Sequence, residues 1–186
     1  SILLGCLPLF QADVIEEGGV IVDAKSGLSG AGRKADESLL FTEVTENLRA
    51  YKVNQHPHMP EVLQEIERLT GRKAHMAFVP QIIPVTRGLI STIYVKTRAT
   101  LEQIQEAFRH VYSTTQAPFV RLRPGVLPQL KDVVGTNYCD IGFTYEPDLR
   151  CLIVASALDN LTKGAAGQAI QNLNVMHGWP ETTGLL

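Results

Sequence analysis

Two apolar runs, residues 141–145 and 149–157, are separated by Glu146-Pro147-Asp148, and this junction limits the fold more than any other feature of the chain. Proline fixes its own φ and aspartate favours a tight reversal, so the two runs predict a β-hairpin. Residues 20–22, 77–83, 89–97 and 119–122 also have extended character, and the third of these is rich in β-branched residues. Residues 60–69 carry Val62, Leu63, Ile66 and Leu69 at helical spacing, with Pro60 suited to the first helical position and Gly71 to the exit. Residues 101–112 follow a Thr100/Gln103 capping box and place Leu101, Ile104, Phe108 and Val111 on one stripe. Two more helices are expected over 2–14, with Pro8 near an end or at a kink, and over 162–176, closed by Gly178. Residues 23–34 are too rich in glycine and serine for regular structure, and 39–53 is ambiguous, with extended character best at 49–53. Helices interspersed with strands that include an antiparallel pair predict one α+β domain: a mixed, largely antiparallel sheet with helices packed on it.

Of the 186 residues, 45% are apolar and 19% charged, which is ordinary for a soluble globular protein. The formal charge of -2 gives no electrostatic case for nucleic acid or an anionic membrane. The longest apolar runs, such as 152–158, are too short to span a bilayer. Residues 1–7 are apolar, but no basic residue precedes them and no small-residue cleavage site follows, so they do not read as a signal peptide. The chain lacks an initiator methionine and is expected to begin inside a helix, as a truncation would leave it. Cys6, Cys139 and Cys151 all sit in apolar stretches, which predicts reduced thiols in a cytoplasmic setting.

Several polar residues stand out against this background. His56 and His58 flank Pro57 just before a helix, where the positive end of the helix dipole favours a neutral imidazole suited to proton transfer. A metal reading of the His-x-His spacing lacks further ligands nearby, so no metal is expected. The loop 26–33 holds Gly30-Ala31-Gly32 after a strand, but its glycines start too late, no clear helix follows, and βαβ alternation is missing, so it is not a Rossmann phosphate loop. Its successive backbone N–H groups, with Ser26 and Ser29, can still form an anion-binding nest, or a mere turn. Arg87, between two strands, either clamps a carboxylate or phosphate through paired hydrogen bonds or is a plain turn arginine. Asn160 is placed to cap the last helix. Gly164, Ala165, Ala166, Gly167 and Ala169 give that helix a face narrow enough for close packing.

Four segments, in order, resemble the N-acetyl-gamma-glutamyl-phosphate reductases of arginine biosynthesis. They are residues 21–33 around Ser26-Gly27-Leu28-Ser29-Gly30-Ala31-Gly32, then His56-Pro57-His58-Met59-Pro60-Glu61, then Pro84-Val85-Thr86-Arg87-Gly88, and finally residues 159–182 from Asp159-Asn160-Leu161-Thr162-Lys163-Gly164 to Trp179-Pro180-Glu181-Thr182. The resemblance implies a Rossmann domain followed by an α+β domain like that of glyceraldehyde-3-phosphate and aspartate-semialdehyde dehydrogenases. Residues 1–158 would be the substrate-binding, catalytic domain, with 1–14 the remnant of the helix after the nucleophile. Residues 159–186 would close against the missing NADP-binding domain.

The implied reaction is NADPH-dependent reduction of N-acetyl-glutamyl phosphate to the semialdehyde, with release of phosphate, through a cysteine thioester. The nucleophile would lie upstream of Ser1, in an Asn-Pro-Gly-Cys-Tyr-Pro-Thr-like motif, leaving Cys6 inert and the fragment inactive alone. By the same resemblance His58 is the acid–base group, oriented by Glu61, with His56 in reserve. Arg87, Ser26, Tyr51 and Asn137 would contact substrate, and Ser26, Gly27, Ser29, Gly30 and Asn160 the cofactor. A cytoplasmic homo-oligomer is expected. The rivals are a sister acyl-phosphate reductase, such as an aspartate-semialdehyde dehydrogenase, and a non-catalytic oligomerisation domain of the same fold.

Overall fold

The computed structural model describes residues 1–33, 35–113 and 117–186. Lys34, where the glycine–serine loop was expected to end, lies outside them. The described residues form one seven-stranded sheet in the order β2-β3-β1-β4-β7-β6-β5. Its strands are β1 (Val20–Ser26), β2 (Arg49–Ala50), β3 (Ala77–Ile82), β4 (Leu89–Lys96), β5 (Val120–Leu122), β6 (Cys139–Glu146) and β7 (Cys151–Leu158). β1 pairs with β3, and β5 with β6, in parallel; the other neighbours are antiparallel, so the sheet is mixed and largely antiparallel as expected. β6 and β7 make the hairpin, closed where Arg150, at φ 48°, donates its N–H to the Pro147 carbonyl at 3.0 Å.

Alternate residues divide the sheet into two faces. Val20, Val22 and Ala24 of β1 share one face with Ser91, Ile93 and Val95 of β4 and with Leu152, Val154 and Ser156 of β7, and all are buried. Helix α1 (Ile2–Gln11) lies on this face, flanked by α3 (His58–Thr70) and α4 (Leu101–Val111). Gly5 lets α1 approach: a Cβ there would sit 2.6 Å from Ile93 Cδ1 and 3.3 Å from Ser156 Cβ. Pro8 lacks the N–H that would bond the Leu4 carbonyl, and the Tyr112 hydroxyl donates to that carbonyl instead, at 2.6 Å. On the opposite face Ile21 and Tyr94 remain 49% and 38% exposed, beside partly buried Ile90, Thr92 and Ile153. Among the described residues, no helix is long and apolar enough to cross a membrane.

The structure departs from the sequence reading in several places. β1 runs on through residues 23–26, because β3 and β4 pair with it on both sides and outweigh the local glycine and serine content. α1 ends at Gln11, not at 14. α3 opens at His58, two residues before Pro60, and closes on Gly71 at φ 70°. Residues 39–53 divide into a short α2 (Phe41–Val44) and β2. The Thr100/Gln103 capping box is present, but Leu101 is 40% exposed and Ala107 joins Ile104 and Phe108 in the buried stripe. The last helix begins as one π-helical turn (Thr162–Ala166) before α5 (Gly167–Met176).

Candidate active site

Ser26, Leu89 and Leu158 stand abreast in the register of β1, β4 and β7, so the loops that leave β1, enter β4 and leave β7 meet at one end of the sheet. The first two loops are zipped by backbone bonds: Gly27 N–H to the Gly88 carbonyl (2.9 Å), Leu28 N–H to Val85 (2.9 Å) and Ser29 N–H to Thr86 (3.1 Å). Only glycine fits at 27, since a Cβ there would come within 2.9 Å of two carbonyl oxygens. Asn160 joins the third loop to both others. Its Oδ1 accepts the Gly88 N–H at 2.6 Å, and its Nδ2 donates to Ser29 Oγ at 2.9 Å.

Asp159, which the sequence reading passed over, is fully buried beside this bridge. Its Oδ1 accepts the N–H groups of Leu161 and Thr162 at 2.8 and 3.1 Å, so Asp159 rather than Asn160 caps the final helix. Its Oδ2 accepts from Gly135 N–H at 2.7 Å and pairs with Arg87 Nη2 at 3.0 Å. Burial alone would raise this carboxyl; the three backbone donors and the Arg87 guanidinium outweigh it and hold the group below the usual carboxylate range. Arg87 Nη2 also donates to Thr162 Oγ1 at 3.1 Å, while its buried Nε has no partner among the described residues. The guanidinium is thus held at one corner with donors to spare.

The anion-binding nest is not formed. The N–H groups of Gly27, Leu28, Ser29, Gly30 and Gly32 all donate to backbone carbonyls within the loop or its neighbour. What this loop offers instead is side chains. Ser26 Oγ donates to the Gly27 carbonyl at 3.2 Å, and Ser29 Oγ, which accepts from Asn160, keeps its own hydrogen.

The histidines form a second cluster. His56 lies beside Tyr51, with 3.4 Å between Nε2 and the phenol oxygen, and packs edge-on against Phe78 at 5.5 Å between ring centroids. Phe78 lies four residues, roughly 13 Å, along β3 from Ile82, the partner of Ser26, while the Tyr51 N–H bonds the Pro80 carbonyl between them at 3.0 Å. No hydrogen bond among the described residues joins Glu61 to His58, or either histidine to the Asn160 bridge. Burial lowers the pKa of His56, helped by His58 and Lys52 and opposed by Glu61.

Asn137 is elsewhere again. It is buried against the start of α5, where a Cβ on Gly167 would collide with its Oδ1, and its Nδ2 donates to Gln171 Oε1 at 3.2 Å. Gln171 Oε1 also accepts from Lys163 Nζ at 2.6 Å, a nearly buried ammonium that the sequence reading did not single out. Cys6 is fully buried and its thiol is pushed up to about 12 by that burial. No group of three or more His, Cys, Asp or Glu side chains among the described residues could hold a metal ion.

Residues 1–160 match the family described as "Semialdehyde dehydrogenase, dimerisation domain". The chain belongs to this family. It is 50% identical over 187 residues to an N-acetyl-gamma-glutamyl-phosphate reductase of Symbiobacterium thermophilum (98% of this chain, 53% of the relative) and 49% identical over 187 residues to one of Geobacillus sp. (99% and 54%). The chain therefore spans about half the length of these curated relatives, and the motif resemblance drawn above leads to the same reductases. Among solved structures, aspartate semialdehyde dehydrogenase II from Vibrio cholerae superposes with a TM-score of 0.67 at 19% identity, covering 94% of this chain and 59% of that one. Aspartate semialdehyde dehydrogenase from Francisella tularensis gives 0.68 at 15% identity, with 95% and 62% covered. These structural neighbours establish the fold.

Proposed function

We propose that this chain is the substrate-binding part of an N-acetyl-gamma-glutamyl-phosphate reductase. The reaction converts N-acetyl-glutamyl 5-phosphate to N-acetyl-glutamate 5-semialdehyde and phosphate, with a dinucleotide-binding domain in the same cytoplasmic polypeptide. The observation that carries this reading is the Asn160 bridge, which fastens three separate loops at one sheet end. It does so in a chain whose close relatives bear that name.

Each residue contributes through groups that the fold leaves unspent. Asn160 has used one amide hydrogen and one lone pair, so one of each remains, and Ser29 retains its hydroxyl hydrogen. That donor–acceptor set fits a carboxamide, and with the Ser26–Gly30 loop it would hold the nicotinamide end of NADP. The bound cofactor supplies hydride. Arg87, held through Nη2 by Asp159 and Thr162, offers its remaining N–H groups to the substrate's carboxylate or phosphate. His58, exposed at the first turn of α3, serves as proton donor to the oxygen that gains charge on reduction, with Glu61 one turn further along the helix. Tyr51 lines the histidine side through its contact with His56. Asn137, buried against α5, acts by holding that helix through Gln171 rather than by touching substrate. The attacking sulfur comes from a cysteine outside these residues, because burial makes Cys6 and Cys139 poor nucleophiles and Cys151 lies at the far end of β7 from the Asn160 bridge. The partly open sheet face around Ile21 and Tyr94 serves a homo-oligomer contact.

The test is NADPH oxidation by the full-length enzyme with N-acetyl-glutamyl phosphate and with aspartyl phosphate. A clear preference for the acetylated substrate is expected. Preference for aspartyl phosphate would make this a sister reductase, and no turnover of either would leave a non-catalytic module.

A further inference from the structure

Helix α3 opens without a side-chain cap from Pro57, its N-cap residue, yet its first donors have partners. His58 N–H donates to His56 Nδ1 at 3.3 Å, and Met59 N–H donates to the His56 carbonyl at 3.0 Å. An imidazole nitrogen thus does what a serine, aspartate or asparagine oxygen does at most helix starts. A ring nitrogen that accepts a hydrogen bond carries no proton, so the single proton of neutral His56 sits on Nε2, facing the Tyr51 oxygen. Three ring contacts fix the plane: Tyr51 at 5.7 Å, His58 at 4.8 Å and Phe78 at 5.5 Å between centroids. Both nitrogens of His56 are committed, whereas the ring of His58 is exposed and free of hydrogen bonds among the described residues.

We propose that His56 is a positioning residue: it caps α3 through Nδ1, fixes the rotation of the first helical turn, and so aims the His58 ring, without itself moving a proton. This rests on the reductase reading above. The charged and titratable groups around His56 are Tyr51 and Lys52 on its own loop and His58 and Glu61 on α3, while β3 contributes only the phenyl ring of Phe78. They leave the cap neutral: burial, His58 and Lys52 disfavour protonation and only Glu61 favours it. Protonating Nδ1 would break the cap.

The experiment compares His56→Ala, His56→Asn and His58→Asn in the full-length enzyme, each checked for folding by circular dichroism. An asparagine oxygen can accept the N–H two residues on, as in an Asx turn, so His56→Asn restores the cap without an imidazole. His56→Ala should lower kcat roughly 10- to 100-fold with little change in KM, because the ring it aims is no longer held. His56→Asn should recover to within about threefold of wild type with the same pH profile, and His58→Asn should lose on the order of 10²- to 10⁴-fold and one limb of that profile. If His56→Asn loses as much as His56→Ala and the limb disappears with it, His56 is itself the acid–base group and the proposal is overturned. A wild-type enzyme that reduces no acyl phosphate sinks the reductase reading alone. The capping role is then decided by ¹⁵N shifts, which must show the Nε2–H tautomer, and by protection of the His58 amide, lost in His56→Ala and regained in His56→Asn; a protonated Nδ1 ends it.

Discussion

Asp159→Asn is nearly isosteric, and it should still unfold the site. The carboxylate takes Leu161 and Thr162 N–H on Oδ1, and Gly135 N–H and the Arg87 guanidinium on Oδ2. An asparagine can turn its oxygen to one pair only; its NH₂ then faces the two donors of the other pair. Neither orientation works. Two charge-assisted bonds lost at about 1.5–3 kcal/mol each, in a fully buried position, give about 3–6 kcal/mol. Arg87→Met should cost less, because three backbone donors still satisfy the carboxylate and the arginine is 38% exposed. The matched surface control is Asp13→Asn, whose partner Arg72 is exposed; it should cost under about 1 kcal/mol. Urea unfolding followed by far-ultraviolet circular dichroism gives all three, with unchanged m-values as the check. The pH dependence has a fixed sign. A carboxyl held below its ordinary value stabilises fully above about pH 3.9 and loses that contribution as pH falls through the lowered value, so the gap between wild type and Asp159→Asn should close in acid. An Asp159→Asn variant within 1 kcal/mol of wild type at neutral pH would refute the reasoning.

Two further outcomes follow from the core. Tyr112→Phe strands the Leu4 carbonyl that Pro8 cannot serve, which should cost about 1–3 kcal/mol by urea unfolding; adding Pro8→Ala supplies an N–H, so the double mutant should recover more than the single changes sum to. Lys163→Met removes an ammonium that burial holds below the usual lysine range despite Cys139 and Glu181. Protonating that amine opposes folding at neutral pH and ceases to do so as pH rises toward about 10.4; Lys163→Met also loses the bond to Gln171, so its cost in the same assay should be smaller at pH 7 than at pH 10.

How much of this was legible depended on whether the cause was local. The hairpin, the Thr100 capping box and the Gly71 exit are written in neighbouring residues, and each was read correctly. The length of β1 was not, because residues 23–26 are extended only through partners in β3 and β4. His58 as the first helical residue was hidden by Pro60, which is tolerated anywhere in the first turn. At the site, Ser29, Arg87 and Asn160 stand apart in the sequence and the fold brings them together. Asp159 does not stand out in the sequence because Asn160 beside it is an equally good capping type, and only the packing shows which one turns inward. The nest failed for the same reason, since its donors are spent on a loop that no local pattern places alongside.

Hydrogen exchange of the full-length enzyme with and without NADP, read by mass spectrometry, puts the shared site to its most direct test. Slower exchange is expected together in peptides covering residues 27–31, 86–89 and 159–163. Unchanged exchange in all three, with protection confined to other parts of the polypeptide, would contradict a cofactor site built on the Asn160 bridge.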